Sequence, residues 1–529
     1  MISDGKNFEL ETRNTKLETN KNTTMKNLLT LLITVLIGIN GLSQQTMRLT
    51  LDDALNFAQT QSLQSFLVKN TWLANYWQYK SFKANYLPAL SFRSQILNYS
   101  NANQLRYNSV TQTEDYVRTE TLNSNASLYL TQNVGPTGGT FFVQSDLYRN
   151  KNYGDKSYTQ FSSRPFQIGY RQDLFGYNRF KWERKLEPQK YKQAMLEYLH
   201  DVEYTNSLTC NYFFNLVMAQ INADMAEYNY HNTDTLFQVA QKRFQLGTIK
   251  KDELLELELN LNNALIKVEE TKMQYRKNKE VFITFLRLPQ DVELDIVLPK
   301  AVDLTIPGNE ALELAMERNS KMLEQHIKLL EAKRDVARTR AENRFQANLN
   351  ISYGINKADG HYDYINNAPV NGEIGNVYQR DFDKYQQLGI DLYIPILDWG
   401  KRKGQYQMAK SRQEITKISV EQTITAFKQD VMTKVLEFNL QYDKVKSIAK
   451  SDTLAMYSYE LTSTRFKKGN VDVLKLTSSQ QAKDNARLQY INSLYQFWSD
   501  YYTVRKLTLY DFINNQTLEE DFEKLINSL

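Results

Sequence analysis

The sequence predicts an α+β membrane protein built from two copies of a helix–strand–strand–long helix unit. Three observations predict it. Residues Leu388–Ile396 alternate apolar and polar side chains, which indicates a strand with one apolar face. After Gly404 the chain has neither glycine nor proline as far as Phe466, so Trp399–Lys467 is predicted to be one helix, roughly 100 Å long. Two further patterns, an opening apolar helix and a glycine turn, each occur twice along the chain, which indicates internal duplication.

The composition favours long elements and excludes several classes of protein. Only 19 glycines and 9 prolines are available to make turns in 529 residues. The mean hydropathy of −0.57 excludes a helical membrane protein, whereas 34 Tyr and 25 Phe are typical of strands and of interfacial aromatic girdles. A net charge of +5 argues against a nucleic-acid partner.

The N-terminal region resembles a secretory signal peptide. Met25–Ser43 has a basic start, an apolar core at Leu28–Ile39 and small residues before Gln44. The apolar core is too short for the roughly 20 residues of a membrane-spanning helix. We therefore assign residues 1–43 to an upstream segment and a signal peptide, and expect the mature chain to begin at Gln44.

The opening helix and a later glycine turn define two repeats. One set of matches has an offset of 257 residues and another has an offset of 222. The matched residues are Ala54, Leu55 and Ala58 with Ala311, Leu312 and Ala315, and Arg243, Phe244 and Gly247 with Arg465, Phe466 and Gly469. We predict a first repeat at 44–299, a second repeat at 300–513 and a polar C-terminal tail at 514–529.

The fall in offset means that the first repeat contains about 35 more residues than the second. They lie between the alternating stretches Leu90–Ile96 and Phe166–Leu174, where Gly135–Gly139 is a turn signal flanked by apolar residues. This predicts an inserted hairpin at about 124–149. The sequence leaves two placements open, because the hairpin could add strands to the sheet or lengthen it on the outside.

A long helix follows each pair of strands. Tyr177–Leu246 is interrupted only by Pro188, which should kink its first turns. Each long helix ends at a glycine, Gly247 or Gly469, a residue that fits the left-handed position past a helix end. Asp252 and Asp472 are predicted to cap the helices that return.

One chain has too few predicted strands to close a membrane pore by itself. Unpaired edge groups would face hydrocarbon, so copies of the chain must close a shared barrel. The apolar face would meet lipid, and the polar face would line an aqueous lumen. The residues predicted for that polar face are Gln167, Arg171, Asp173 and Asp391.

The residues LTLDDALNFAQTQS near the start, YIPILDWGKRKGQYQMAK, RQDLFGYNRFKWERK and the two RF-x-x-G turns resemble the TolC-type outer-membrane efflux proteins. The resemblance covers roughly Leu49 to Phe512. It implies a homotrimer in the outer membrane of a Gram-negative bacterium, with a 12-stranded β-barrel above a periplasmic α-helical tunnel. It further implies passive export through a tripartite efflux or type I secretion system. The implied partners are a periplasmic adaptor (membrane fusion) protein, an inner-membrane transporter of the RND, ABC or MFS type, and outer-membrane lipid.

The resemblance also assigns candidate site residues. The tips would contact the adaptor, through Gly247, Thr248, Ile249, Gly469, Asn470 and Val471. Thr248 and Asn470 are each either an adaptor contact or a plain turn former. Well-known members carry carboxylates six and nine residues after the second tip glycine, where this chain has Lys475 and Ser478. The matching first-tip residues, Glu253 and Glu256, are either an entrance constriction or ordinary first-turn acids favoured by the helix dipole. The residues of the barrel–tunnel junction would be Phe175, Gly176, Pro395, Asp398, Trp399 and Gly400.

Motifs for catalysis are absent from the sequence. The four histidines, His200, His231, His326 and His361, are scattered, and Cys210 is the only cysteine. We therefore predict no enzyme, no catalytic residue, no cofactor and no metal site. Two other hypotheses for the function remain: a non-conducting envelope scaffold or adhesin with long coiled-coil helices, and a soluble secreted coiled coil.

Overall fold

The computed structural model describes residues 46–108, 111–153, 157–359, 364–365, 368–369, 382–520 and 522–527. The predicted signal peptide at Met25–Ser43 and the predicted mature start at Gln44 lie outside the described residues.

The described residues form nine helices and twelve strands. The helices are α1 (Leu51–Gln61), α2 (Leu63–Ala84), α3 (Arg179–Gln245), α4 (Lys251–Leu286), α5 (Gly308–Arg318), α6 (Ser320–Glu342), α7 (Lys401–Lys467), α8 (Val473–Thr508) and α9 (Phe522–Asn527). The strands are β1 (Thr46–Leu49), β2 (Ala89–Asn108), β3 (Thr113–Val134), β4 (Gly139–Asn152), β5 (Tyr158–Leu174), β6 (Glu293–Ile296), β7 (Gln346–Asp359), β8 (Tyr364–Ile365), β9 (Ala368–Pro369), β10 (Asp383–Tyr393), β11 (Tyr510–Asp511) and β12 (Gln516–Thr517).

Helices α3 and α7 are the two long helices that the sequence predicts, and each contains 67 residues. Pro188 lies inside α3 without ending it. Each helix begins two residues later than predicted, at Arg179 and Lys401. At α7 the predicted first residue, Trp399, has a φ of 53°, which cannot be part of a right-handed helix, and at α3 Asn178 caps the helix by accepting a hydrogen bond from Lys181 N at 2.9 Å.

The opening helix of each repeat is broken, which the sequence analysis did not predict. Ser62 separates α1 from α2 and Asn319 separates α5 from α6, both with extended backbone. The two breaks are 257 residues apart, the same offset as the repeated apolar residues. Helix α1 starts with a capping box between Thr50 and Asp53, and its predicted apolar face is buried.

Six strands form one antiparallel sheet in the order β10-β7-β5-β4-β3-β2. The question that the sequence left open is thereby answered, because β3 and β4 pair within the sheet between β2 and β5. The twelve-strand barrel implied by the family resemblance requires four strands per copy of a trimer, whereas this sheet has six strands in one copy. Strand β10 also ends earlier than the alternation suggested, at Tyr393, two residues before Pro395, which has no N–H to donate.

The chain divides into two compact units. The first comprises the described residues up to Leu63 together with Leu208–Val302 and Lys444–Trp498, and the second comprises Gln64–Ser207, Asp303–Asp443 and the described residues from Ser499 onward. Each unit takes segments from both predicted repeats, so the boundaries at 299 and 513 stay predictions.

Each unit has its own apolar core. In the first, β1 pairs in parallel with β6, and the buried side chains include Phe213, Phe282 and Leu286. In the second, Ala315 of α5 packs with Phe427 and Val431 of α7. These cores are conventional, since burial of apolar side chains is the main driving force for folding in water.

No helix within the described ranges has the length and hydropathy needed to cross a membrane.

Candidate functional site

The six-stranded sheet has two faces of opposite chemistry, and their burial is the reverse of that in a soluble protein. Asp146 is 2 % exposed and Gln144 is 8 % exposed, whereas Leu388 is 69 % exposed and Ile351 is 43 % exposed. Water-soluble monomers rarely expose large continuous apolar patches. The exposed apolar face of the sheet is therefore suited to apolar surroundings.

The strand register makes the two faces continuous across the sheet, because directly paired residues lie on the same face. One row on the exposed face runs Leu90, Leu130, Val143, Ile168 and Tyr353. A neighbouring row on the opposite face runs Ser91, Tyr129, Gln144, Gln167 and Gly354. The alternation of apolar and polar rows thus includes the inserted strands.

Charged groups on the polar face bond to one another. Arg164 Nε lies 3.2 Å from Asp146 Oδ2, and the Asp146 side chain is fully buried. Gln144 Nε2 donates to Asp146 Oδ1 at 2.8 Å and to the Tyr129 hydroxyl at 2.8 Å, while Arg164 Nη1 donates to Gln167 Oε1 at 3.1 Å. These contacts give the buried carboxylate the hydrogen-bond partners without which its burial would be costly.

The four residues predicted for a lumen lie on this polar face. Gln167, Arg171 and Asp173 have the same parity on β5, and Asp173 is linked through Asn348 to Asp391 on β10. The structure therefore brings together residues that are far apart in sequence.

The junctions between strands and long helices use a common turn. Phe175 and Trp399 both have positive φ, followed by Gly176 and by Gly400 with φ 86°. The Phe175 ring packs on Phe345, with 5.0 Å between ring centroids, whereas Trp399 is 90 % exposed.

At each junction a polar residue caps the long helix that follows. Asp398 accepts hydrogen bonds from the backbone N–H groups of Gly400 and Arg402, at 3.0 and 3.2 Å, and Pro395 lies three residues earlier in the same connection. Asn178 takes this role at α3, accepting from Lys181 N at 2.9 Å. The cap at Asn178 was not predicted from the sequence, although an Asn just before a long helix is an ordinary capping signal.

The two tips end the long helices with the same backbone motif. Gly247 N donates to Phe244 O and Thr248 N donates to Arg243 O, each at 2.9 Å. Gly469 N and Asn470 N make the equivalent bonds to Phe466 O and Arg465 O, also at 2.9 Å. With φ of 69° at Gly247 and 81° at Gly469, both tips are Schellman motifs.

The side chains at the two tips differ. Phe466 is 1 % exposed, whereas its counterpart Phe244 is 39 % exposed. Arg243 Nη1 donates to the Phe466 carbonyl oxygen at 3.3 Å, so the arginine of the first tip also satisfies the end of α7. The RF-x-x-G motif is the same at both tips, so the sequence did not indicate this role of Arg243.

Two of the predicted adaptor-contacting residues are part of the tip core. Ile249 and Val471 pack against a buried cluster that includes Leu257 and Val473. Thr248 is exposed and its hydroxyl donates to Arg243 O at 2.9 Å. The exposed side chains at Thr248 and Asn470 are therefore better placed for external contacts than Ile249 and Val471.

The predicted caps of the returning helices behave differently from each other. Asp472 accepts from Lys475 N at 2.8 Å and caps α8, as predicted. The prediction for Asp252 is wrong, because Lys250 occupies the N-cap of α4 and makes no side-chain cap bond. Asp252 lies with Glu253 in the first turn, where carboxylates are favoured by the helix dipole.

The candidate entrance residues are mostly in contact with solvent. Glu256, Lys475 and Ser478 are exposed and Glu253 is half-buried. Their role in a constriction remains a prediction.

Across the part of the chain that the structure describes, no three His, Cys, Asp or Glu side chains are arranged to hold a metal ion. Cys210 is fully buried, and burial raises the pKa of its thiol, so it is unsuited to act as a nucleophile.

Residues 311–508 match the family model for outer membrane efflux proteins. The fold is similar to that of the CmeC outer membrane channel of Campylobacter jejuni, with a TM-score of 0.61 and 14 % identity over 90 % of this chain and 88 % of CmeC. It is also similar to the outer membrane protein VceC of Vibrio cholerae, with a TM-score of 0.58 and 11 % identity over 89 % of this chain and 97 % of VceC. No curated protein matches the sequence. The family match confirms the predicted resemblance and supports the predicted outer-membrane location, while the solved structures establish the shared fold.

Proposed function

We propose that the chain is the exit duct of a tripartite efflux or type I secretion system. It would conduct substrates passively from a periplasmic adaptor and an inner-membrane transporter to the outside of the cell. The observation that carries this proposal is the reversed sheet, in which large apolar side chains such as Leu388 and Ile390 are exposed while Asp146 and Gln144 are buried. This arrangement suits a barrel with lipid outside and water inside.

Closure of the barrel requires several copies of the chain. Within the described sheet, β2 pairs only with β3 and β10 pairs only with β7, so both edges carry unpaired backbone groups. Hydrocarbon cannot satisfy these groups. Pairing of β2 in one copy with β10 in the next would satisfy them, and the family resemblance favours three copies whose long helices continue the barrel as a periplasmic tunnel.

The tips are the proposed contact with the adaptor. Thr248 and Asn470 follow the two tip glycines, whose Schellman motifs fix the direction of the exposed turn. A transporter of the RND, ABC or MFS type would supply the energy, because nothing in the arrangement of the described residues suggests chemistry of its own.

Reconstitution of the purified protein in planar lipid bilayers tests the proposal. A conduit predicts stable single-channel conductance, whereas the scaffold or adhesin predicts folded protein in the membrane without conductance. Recovery of the protein from the medium instead of the outer-membrane fraction would favour a soluble coiled coil.

A photo-crosslinker tests the adaptor contact. Placed at Thr248 or Asn470, it should capture the adaptor in cells. The matched control is Met273 in α4, which is 68 % exposed and distant in sequence from either tip. Equal capture from all three positions, or none from the tips, would contradict the assignment.

A further inference from the structure

We infer that the inserted hairpin β3–β4 is part of the membrane-crossing wall, so that each copy contributes six strands and the pore is wider than a barrel with four strands per copy. This inference rests on the proposed function and extends it to the size of cargo that the barrel admits.

The hairpin is fully integrated in the sheet. Strand β3 pairs with β2 over Thr113–Thr131 and with β4 over Thr121–Val134, and β4 pairs with β5 along its whole length apart from one bulge. The two strands contain 22 and 14 residues. A tilted strand needs about 9–11 residues to cross the hydrocarbon layer, so both are long enough.

The faces of the hairpin have the same chemistry as the faces of the other strands. Leu128 and Leu147 are each more than two-fifths exposed on the apolar face. Ser127 and Asp146 are almost fully buried on the polar face. A hairpin projecting into water would have no reason to expose one face of large apolar side chains in register with β5 and β7.

The turn of the hairpin is anchored beside the start of α3. Asn178, which caps that helix, donates through Nδ2 to the carbonyl oxygens of Gly135 and Pro136, at 3.3 and 3.1 Å. Asn133 Nδ2 donates to Asn85 O at 2.9 Å, at the end of α2. The hairpin therefore turns at the same end of the sheet as the helix junctions, where outer-membrane barrels have short turns.

The strand number sets the width of the pore. Three copies with six strands each would give eighteen strands instead of twelve. Barrel diameter grows roughly linearly with strand number, so the diameter would be about 1.5 times larger and the cross-section about twice as large. A lumen of this width, lined by the exposed polar-face residues Arg171, Asp173 and Asp391, suits large hydrated solutes.

Site-directed labelling of single cysteines tests the position of the hairpin. In a Cys210→Ser background, adjacent residues on opposite faces are compared: Leu128→Cys with Tyr129→Cys on β3, and Ile351→Cys with Asn350→Cys on β7 as the matched control. Proteoliposomes are treated with a small water-soluble thiol reagent, and a fluorophore at each site is tested for quenching by brominated lipid.

The inference predicts the same alternation on both strands: labelling from water at Tyr129→Cys and Asn350→Cys, and lipid quenching with loss of aqueous labelling at Leu128→Cys and Ile351→Cys. Aqueous labelling at both hairpin positions, with alternation only on β7, would overturn the inference and leave the proposed duct intact. Absence of alternation on β7 would overturn both.

Deletion of Thr113–Asn152 provides a second readout, because it joins the outer ends of β2 and β5. If the variant assembles, polymers added from the extracellular side should be excluded at a smaller size, with about a twofold loss of conductance through the barrel. An unchanged size limit would contradict the wider pore. A variant that fails to assemble leaves the cysteine experiment to decide.

Discussion

The buried side chains of the sheet are mostly polar, whereas those of the helices are mostly apolar. In the helices, Phe438 is 0 % exposed and Val431 is 1 % exposed, as in any water-soluble core. In the sheet, Leu388 and Ile390 are more than half exposed while Asp146 is buried. The same hydrophobic effect explains both regions in the proposed duct, where water would surround the helices and lipid would surround the sheet. The kind of side chain that is buried in each region therefore depends on the surrounding medium as well as on packing in a core.

The largest expected effect comes from opening a cavity in the helical core. Phe438 packs 5.9 Å from Tyr501, centroid to centroid, and Phe438→Ala should cost about 3–5 kcal/mol of unfolding free energy. Leu388→Ala, on the exposed face of β10, is the control and should change stability far less in detergent. Thermal unfolding of the purified protein measures both. Equal losses would break the distinction between the two regions.

A charge placed on each face of the sheet tests the predicted medium. Leu388→Arg should destabilise the membrane-inserted protein by about 2–4 kcal/mol, because its side chain would lie in hydrocarbon. Gln387→Arg, one residue earlier on the polar face, should be tolerated. Folding titrations in liposomes measure the two variants, and a similar cost for both would contradict a water-filled interior.

A buried charge cluster should make the stability of the helical region depend on pH. Arg505 Nε lies 3.1 Å from Glu203 Oε2 and Arg505 Nη1 lies 3.3 Å from Asp511 Oδ2, so one cation faces two carboxyl groups. Burial raises the pKa of Glu203 to about 7, against the opposing charge of Arg505. Burial would also raise the pKa of Asp511, but hydrogen bonds from Tyr501 and Asn514 and the charge of Arg505 lower it overall.

Because the pKa of Glu203 is higher in the folded than in the unfolded protein, its contribution to stability is complete below about pH 4.5 and is lost as the pH rises through about 7. The expected loss is about 1–3 kcal/mol. Glu203→Gln should remove this dependence in thermal unfolding between those pH values. Parallel pH profiles for the two proteins would rule out the assignment. The pKa of Asp511 is lowered, so its contribution to stability changes only at more acidic pH.

The smallest expected effect separates the two helical tips. Asp472→Ala removes the cap of α8 and should cost about 0.5–2 kcal/mol, whereas Asp252→Ala removes no cap bond and should cost less. Chemical denaturation of the two variants provides the comparison. A larger loss of unfolding free energy for Asp252→Ala than for Asp472→Ala would contradict the assignment of Asp472, and not Asp252, as a helix cap.

Much of this architecture could be predicted from local sequence signals. Long stretches with at most one proline predicted both long helices, glycine predicted both tip turns, and alternation predicted the strands. The breaks at Ser62 and Asn319 were missed, because neither residue by itself ends an amphipathic pattern. The bridging role of Arg243 was missed because it depends on a carbonyl group more than 200 residues away. Whether β3 and β4 join the sheet depends on pairing between strands, which local patterns do not specify.

Electron cryomicroscopy of the full chain in lipid nanodiscs tests the central claim most directly. The account predicts a ring of copies in which β2 of each copy pairs with β10 of the next, enclosing a lumen lined by Arg171 and Asp391, with Leu388 and Ile351 facing lipid. Separate copies with unpaired sheet edges and no enclosed lumen would contradict it.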